Sequence, residues 1–251
     1  MPGITLRQYI KKLEREMVKH YILGLLLLLS VWDLSAGESI KVVLFPFRET
    51  VIASRVESQI GKYFFRLGEA FPANAVLTEL ESENYRIKLQ LAKDQFAFAK
   101  AAYEDKQELR KGNFTSDFEL KKAEYEYRTA QSNLAVAQLN FSHCSIKAPF
   151  SGKIVEIITR EHETVRPGQQ LLRIIDDHSL LAVMNIPLQK IQPVGSKMTI
   201  RLQTGKKVQG TVYEVSPQAD HRTGTVRIRV LVDNKNGELR AGMIGELDHG
   251  K

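Results

Sequence analysis

The 251-residue sequence contains one cysteine, Cys144, so it can form neither an internal disulfide nor a metal site built from several thiolates. It also has no glycine-rich phosphate-binding loop. The histidines His143, His162, His178 and His221 occupy separate turn or strand contexts, without the spacing of a catalytic triad or a metal site. We therefore expect no enzymatic activity, no catalytic residues, no metal and no cofactor.

A concentrated block of basic residues is also missing. The chain has 36 Lys and Arg against 29 Asp and Glu, which gives a formal net charge of +7. These charges alternate in sign along the sequence, whereas nucleic-acid-binding proteins cluster their basic residues on one face or tail. We therefore expect no nucleic-acid partner.

Only one long apolar run is present, from Tyr21 to Trp32, and four basic residues between Lys11 and Lys19 precede it. Twelve residues are too few to span a bilayer, since a membrane-crossing helix needs about 20. The pattern is typical of a secretory signal, with Met17 as a plausible start and Ala36 as a cleavage site. We predict that residues 1–36 are leader and signal peptide.

The hydrophobic pattern changes from strand-like to helical at Ser82. Before that residue, from Ile40 to Leu80, short β-branched and aromatic runs alternate with turn residues. After it, apolar residues recur at spacings of three and four, which predicts a helix. This first seam consists of Leu89, Ala92, Phe96, Ala99 and Tyr103.

A second helix is predicted after a tight reversal. Gly112 and Asn113 can both adopt the left-handed conformation that ends a helix, and Ser116 with Glu119 has the spacing of a capping box. The seam of the second helix repeats by heptads. It consists of Leu120, Ala123, Tyr127, Ala130, Leu134, Ala137 and Phe141.

The two helices are expected to pack antiparallel as a slim rod, because alanine alternates with large residues in both seams. The outer faces are expected to be polar, with Lys88, Lys93, Lys100, Glu104, Lys122 and Glu126. The alternative, a helical pair packed on a core, is disfavoured by the lack of a second apolar stripe.

An internal repeat flanks the predicted rod. At an offset of 94 residues the two segments share apolar, charged and turn positions. The matched pairs include Ile60 with Ile154, Arg66 with Arg160, Glu69 with Glu163, and Asn74 with Gly168. We expect the two units to form one sandwich, followed by a small barrel of alternating strands from Leu180 onward.

The strands after the rod carry motifs that resemble those of periplasmic adaptor proteins, also called membrane fusion proteins, of the HlyD-like family. The most specific stretches are residues 146–152 (IKAPFSG), 165–171 (VRPGQQL), 174–176 (IID) and 239–243 (LRAGM). These proteins serve efflux and secretion systems of the RND and ABC types.

The resemblance implies a mixed α and β, elongated and modular fold. An antiparallel α-helical hairpin (82–141) would be inserted in a lipoyl-like, barrel-sandwich hybrid β domain, followed by a small β-barrel (180–251). The halves of the lipoyl-like domain would be residues 37–81 and 142–179. His162, where the family usually has glycine, and Ala73-Asn74, in place of Lys-Gly, depart from the pattern.

The resemblance also implies a function. The chain would link an inner-membrane transporter, of RND or ABC type, to an outer-membrane TolC-type channel. It would act in the periplasm, associated with the inner membrane, as a homo-oligomer (trimer or hexamer). The alternative is an envelope scaffold or assembly protein that uses the hairpin to bind partners without forming a transport conduit.

Partner-binding residues are predicted at the hairpin tip. Leu109 and Ser116 match positions with which family members contact a TolC-type channel, and Gly112 lies between them, but Asp105 stands where those members carry arginine. The competing interpretation is that Leu109 closes the hairpin and Ser116 only caps a helix. A swinging-arm carrier is disfavoured, because the rod occupies the position of the modified lysine.

Overall fold

The computed structural model describes residues 39–248, so the predicted leader and signal peptide lie outside the described residues. The strands, in chain order, are β1 (Lys41–Ala53), β2 (Ser58–Tyr63), β3 (Ala70–Phe71), β4 (Val76–Leu80), β5 (Ser145–Lys147), β6 (Gly152–Ile157), β7 (Thr164–Val165), β8 (Gln170–Pro187), β9 (Lys197–Leu202), β10 (Lys207–Asp220), β11 (Thr225–Asp233) and β12 (Ile244–Leu247). Helices α1 (Glu83–Lys111) and α2 (Asp117–Ser142) lie between β4 and β5, and a 3₁₀ turn (Leu188–Lys190) follows β8. The mixed α and β class predicted from the sequence is confirmed.

Six strands form a closed barrel in the order β1, β12, β9, β10, β11, β8, and β8 pairs back onto β1. Side chains alternate along these strands, and the inward-facing ones form a continuous apolar core. Leu44, Leu180, Ile200 and Ile228 are among its fully buried members. Closure leaves no unpaired edge strand that could recruit other chains.

The remaining strands, with the second part of β1 and the first part of β8, form a sandwich with approximate two-fold symmetry, which confirms the internal repeat. His162 N donates to Ile60 O, and at the offset of 94 residues Gly68 N donates to Ile154 O. The equivalent residues Gly68 and His162 both have positive φ (79° and 64°). The two units therefore exchange equivalent hydrogen bonds around a shared apolar core.

Strands β1 and β8 run through both the barrel and the sandwich, and this differs from the predicted boundaries. Ile40, Val42 and Leu44, assigned from the sequence to residues 37–81 of the first lipoyl-like half, belong to the barrel core. β8 likewise continues across the predicted boundary at residue 179. The alternation of apolar and polar residues is the same along the whole of a long strand. The sequence therefore does not show where the strand leaves one apolar core and enters the other.

Helices α1 and α2 pack antiparallel on the predicted seams, and residues Glu83–Ser142 are called the arm below. Ala92, Ala123 and Ala130 are buried between the helices, and the Tyr103 and Tyr127 rings stack with centroids 5.5 Å apart. At the base of the arm Tyr85 packs against the sandwich core and donates a hydrogen bond to Glu57 O (2.8 Å). Within residues 39–248, neither helix combines the length and the apolar character that crossing a bilayer requires.

Replacing Ala130 by Trp should destabilise the arm by about 1–3 kcal/mol, because the added rings overpack a seam in which alanine permits close helix contact. Circular dichroism during thermal unfolding should show a lower melting temperature. Ala135→Trp is the matched control, because Ala135 is exposed on the same helix. Equal melting profiles for the two variants would contradict the seam assignment.

Candidate partner-binding site at the end of the arm

The loop that reverses the chain between α1 and α2 is built around one left-handed residue. Asn113 has φ 59°, whereas Gly112 has φ −87°. Of the two residues that can adopt the left-handed conformation, only Asn113 does so. Phe114 N donates to Leu109 O (2.9 Å) and closes the reversal, so a single positive φ is sufficient.

Ser116 caps the N-terminus of α2. Its hydroxyl accepts a hydrogen bond from the backbone N of Glu119 (3.1 Å), which is one half of the predicted capping box. The Glu119 carboxylate does not complete the box, because it accepts from Thr115 Oγ1 (2.7 Å) and Lys106 Nζ (3.2 Å). These two hydrogen bonds lower the pKa of Glu119.

Ion pairs within the arm hold both sides of the tip. Arg110 contacts Asp117 (2.7 Å) across the loop, and Lys106 contacts Glu119 (3.2 Å) between the helices. Both pairs are largely exposed, so each contributes at most about 1 kcal/mol. Their main consequence is that these four charged groups already have partners within the chain.

The structure brings the three predicted contact residues to the tip. Leu109 lies in the last turn of α1, Gly112 follows that helix directly, and Ser116 precedes α2. Leu109 is 43% exposed. The contact role of these residues stays a prediction, and for Ser116 the observed hydrogen bond supports at least the capping role.

Sequence reasoning missed two aromatic side chains at the tip. Phe114 and Phe118 are 80% and 76% exposed, although phenylalanine is normally buried. The available signal was two phenylalanines within an otherwise polar loop and helix start. With Leu109 they form an exposed apolar tip surface, and apolar surface of this kind favours contact with a partner.

Replacing Ser116 by Ala should loosen the first turn of α2 by about 1 kcal/mol, since the cap is lost, whereas Ser116→Asp should retain it. Amide hydrogen exchange at Asp117, Phe118 and Glu119 measures this difference. Equal protection in both variants would contradict a capping role. The Ser116→Asp variant retains the cap, so loss of partner binding in this variant would show that Ser116 also contacts the partner.

A second polar cluster lies where β1 and β8 pass from the sandwich into the barrel. Arg48 Nη2 contacts Asp176 Oδ2 (2.6 Å), and the backbone N of His178 donates to Asp176 Oδ1 (3.3 Å). Arg48 also lies over the Phe150 ring, 4.8 Å from its centroid. Burial alone would raise the pKa of Asp176, but the hydrogen bonds from Arg48 and His178 outweigh it, so the pKa is lowered.

Replacing Arg48 by Met should destabilise the folded chain by about 1–3 kcal/mol at neutral pH, because the buried Asp176 carboxylate loses its cation. A carboxylate with a lowered folded-state pKa stabilises the fold above its unfolded pKa and loses that effect as the pH falls through the folded value. The difference from wild type should therefore shrink below about pH 4.

Urea unfolding of wild type and Arg48→Met between neutral and acidic pH measures this dependence. Lys235→Met is the control, because Lys235 forms an exposed ion pair with Asp233. A difference that grows on acidification would contradict the assignment.

Other chemically reactive groups in the described residues are separated from one another. No cluster of three or more His, Cys, Asp or Glu side chains within residues 39–248 could hold a metal ion. The Cys144 thiol is buried, and burial raises its pKa. Tyr63 donates to Thr159 O (2.9 Å), and burial, followed by the charges of Glu161 and Glu163, raises the pKa of Tyr63 to about 12.

Known proteins resemble the chain in sequence. The family model of the CusB-like β-barrel domain matches residues 183–250. The nodulation protein NolF of Rhizobium meliloti is 26% identical over 224 residues, which cover 81% of this chain and 61% of that protein. The multidrug resistance protein MdtA of Pectobacterium carotovorum is 26% identical over 214 residues, which cover 75% of this chain and 52% of that protein. The chain thus spans between about half and three fifths of the length of these relatives.

Solved structures resemble the chain in fold. A MacA–MexA chimeric protein with the Pseudomonas aeruginosa MexA α-hairpin domain superposes with a TM-score of 0.72 at 17% identity, covering 84% of this chain and 83% of that chain. The membrane fusion protein Spr0693 of Streptococcus pneumoniae superposes with a TM-score of 0.67 at 15% identity, covering 84% of this chain and 98% of that chain. At these identities the likeness shows the fold alone.

Proposed function

The chain resembles periplasmic adaptor, or membrane fusion, proteins in both sequence and fold, and from this premise we propose that it is itself a non-enzymatic adaptor. It links an inner-membrane transporter to an outer-membrane channel for efflux or secretion across the cell envelope. It acts in the periplasm, associated with the inner membrane. The match of its barrel to a CusB-like domain supports a transporter of the RND type over one of the ABC type.

The observation that carries this proposal is the arm. Helix α1 has 29 residues, so it extends about 43 Å at 1.5 Å per residue. The strands before and after it, β4 and β5, pair with each other at its base. A two-helix element anchored in this way holds its tip far from the sandwich, which suits a protein that bridges two distant partners.

The positions of the first and last described strands indicate which end of the molecule would face the inner membrane. β1 enters the barrel beside β12, where Lys41 pairs with Glu246, and then runs through the barrel into the sandwich. β12 ends at that same entry, because Leu247 N donates to Ile40 O. Both ends of the described range, residues 39 and 248, therefore lie at the barrel end remote from the sandwich, which we propose is the membrane side.

The tip surface is the proposed contact with a TolC-type channel. Leu109, Gly112 and Ser116 are the contact residues by family resemblance, and Phe114 and Phe118 join them because of their exposure. The four charged groups paired at the tip offer little for charge-based recognition. The contact is therefore mainly apolar.

Replacing residues 107–118 by a short Gly-Asn-Gly turn should leave a folded, exported chain that no longer supports transport. The reason is that the body and most of the arm seam are retained while the contact surface is removed. Transport of the cognate substrate by cells is the readout, and circular dichroism of the purified chain reports folding. The control is Glu104→Ser with Arg128→Ser, which changes the arm surface away from the tip.

Normal transport by the tip replacement would overturn the docking role. Crosslinking in intact cells, followed by purification of the chain, distinguishes the proposed adaptor function from the alternative scaffold function. Recovery of an inner-membrane transporter supports the adaptor. Recovery of envelope proteins without any transporter, together with unchanged transport, would favour the scaffold.

A further inference from the structure

One end of the barrel is covered by the connection between two strands that are not neighbours. In the barrel order two other strands separate β8 from β9 on either side, so the connecting residues must cross the open end. This connection, residues 188–196, is called the end loop below. β8 leaves the sandwich, runs through the barrel and reaches the end loop at Pro187, so the loop covers the barrel end remote from the sandwich. Ile191 packs from the loop against the barrel core.

The end loop exposes two aliphatic side chains. Leu188 and Val194 are 49% and 64% exposed, although aliphatic residues are most often buried. The backbone beside each of them is fixed, because Leu188 follows Pro187, the last residue of β8, and Gly195 N donates to Val212 O of β10 (2.9 Å). Side chains on a fixed backbone lose less conformational entropy on binding than side chains on an unordered one. The pair is therefore suited to contact with an apolar environment.

Basic side chains accompany these aliphatic residues at the same end of the barrel. Lys190 lies within the end loop, and Lys197 follows it at the start of β9. Arg222 lies in the turn before β11, and the first residue of β11, Thr225, pairs with Pro187 beside the loop. All three basic residues are exposed. Within residues 39–248, the ion pairs of the barrel involve other basic residues, namely Arg201, Lys206, Lys207, Arg229 and Lys235.

Acidic side chains near this end already have partners within the chain. Asp248 contacts two basic side chains, of β9 and β10 (2.8 and 2.6 Å). Asp220 accepts a hydrogen bond from the backbone N of Arg222 (2.9 Å), and Glu246 accepts one from Ser39 Oγ (3.2 Å). The end loop itself contains no acidic residue. The electrostatic potential over the end loop is therefore positive.

Aliphatic side chains projecting among basic ones match the chemistry of an anionic bilayer surface. Aliphatic groups enter the boundary between headgroups and acyl chains, while Lys and Arg contact the phosphates. Exposed cations and projecting aliphatic groups at one end of the barrel can make both kinds of contact at once. A stable protein interface needs about 800 Å² from each partner, which is much more than the surface of two aliphatic side chains. The composition of this end therefore favours a lipid surface over a protein.

We propose that the end loop binds directly to the surface of a bilayer that contains anionic phospholipids. Leu188 and Val194 enter the bilayer just below the headgroups, and Lys190, Lys197 and Arg222 contact the lipid phosphates. This inference rests on the proposed function, since that function places this end of the barrel at the inner membrane. It adds a lipid contact made by the barrel itself, which requires neither residues 1–36 nor a transporter.

The individual contacts are weak, so the binding is expected to be reversible. A basic side chain close to an anionic surface strengthens binding by about 5-fold. Two partly inserted aliphatic side chains add less than a lipid chain would, and even one such chain gives only marginal binding. The contact would thus orient the barrel on the membrane rather than anchor the chain there.

Sedimentation with vesicles tests this contact. The chain purified after export should sediment with phosphatidylcholine vesicles that contain about one third phosphatidylglycerol, and much less with pure phosphatidylcholine. Added salt should weaken the binding, because it screens the charges. Leu188→Ser with Val194→Ser should lower the affinity about tenfold, since the inserted groups are lost. Lys190→Gln with Lys197→Gln should lower it by about 5-fold for each lysine.

Two matched variants control for general loss of apolar surface and of charge. Leu91→Ser with Phe98→Ser removes exposed apolar side chains from the arm. Lys206→Gln with Lys235→Gln removes the same charge from loops at the opposite end of the barrel. Both variants should bind anionic vesicles as the wild type does, and circular dichroism should show that every variant is folded. Weakening by the controls equal to that by the end-loop variants would overturn the proposal.

A fluorescent label reports insertion directly, and it remains informative if a serine variant fails to fold. Val194→Cys, in the chain with Cys144→Ala, is labelled with a fluorophore whose emission shifts to the blue in an apolar environment. Anionic vesicles should cause this shift. Asn236→Cys, at the opposite end of the barrel, carries the same label as the control and should show no shift.

Equal fluorescence changes at positions 194 and 236 would overturn the proposal, as would equal sedimentation with neutral and anionic vesicles. The absence of vesicle binding, together with crosslinks from position 194 to a transporter in cells, would assign the end loop to that protein instead. These readouts do not depend on transport. Vesicle binding by a chain that fails to support transport would leave the lipid contact standing and reject the proposed function.

Discussion

The pairing of β1 with β8 is the interaction on which the rest of the structure depends. These two strands close the barrel at one end and form a wall of the sandwich at the other, so a single antiparallel ribbon belongs to both cores. Where the ribbon passes between the cores, the register shifts between Pro46 and Arg48, and Arg48 pairs with the buried Asp176. The arm emerges from β4 and β5, which belong to a separate four-stranded sheet, so it is connected to this ribbon through the shared apolar core of the sandwich.

The close packing of the two helices in the arm depends on the residue type at individual seam positions. Alanine at Ala92, Ala123 and Ala130 allows close helix packing, and Tyr103 and Tyr127 fill the spaces between these small residues. The outer surface of the arm carries exposed apolar residues such as Leu91 and Phe98, separated by charges such as Asp105 and Lys122.

Much of this architecture could be predicted from the sequence, because the seam spacing, the Ser116 cap and the 94-residue repeat are local or periodic signals. The crossing of β1 and β8 between two cores could not, since alternation within a strand is the same whichever core buries it. The sequence could not tell which of Gly112 and Asn113 is left-handed, since both residue types permit it, and in the structure Asn113 alone is. The exposed apolar residues of the outer faces, such as Leu91 and Phe98, were missed because the lysines and glutamates between them give those faces a polar appearance.

The meeting of β1 with β12 constrains the order in which the protein can fold. Lys41 pairs with Glu246, so the barrel joins the first strand of the described chain to the last. Contacts between residues this distant in sequence form slowly, whereas α1 and α2 can zip together as soon as both have been synthesised. The barrel therefore stays open until β12 has been synthesised, so the arm can form before the body that carries it is complete.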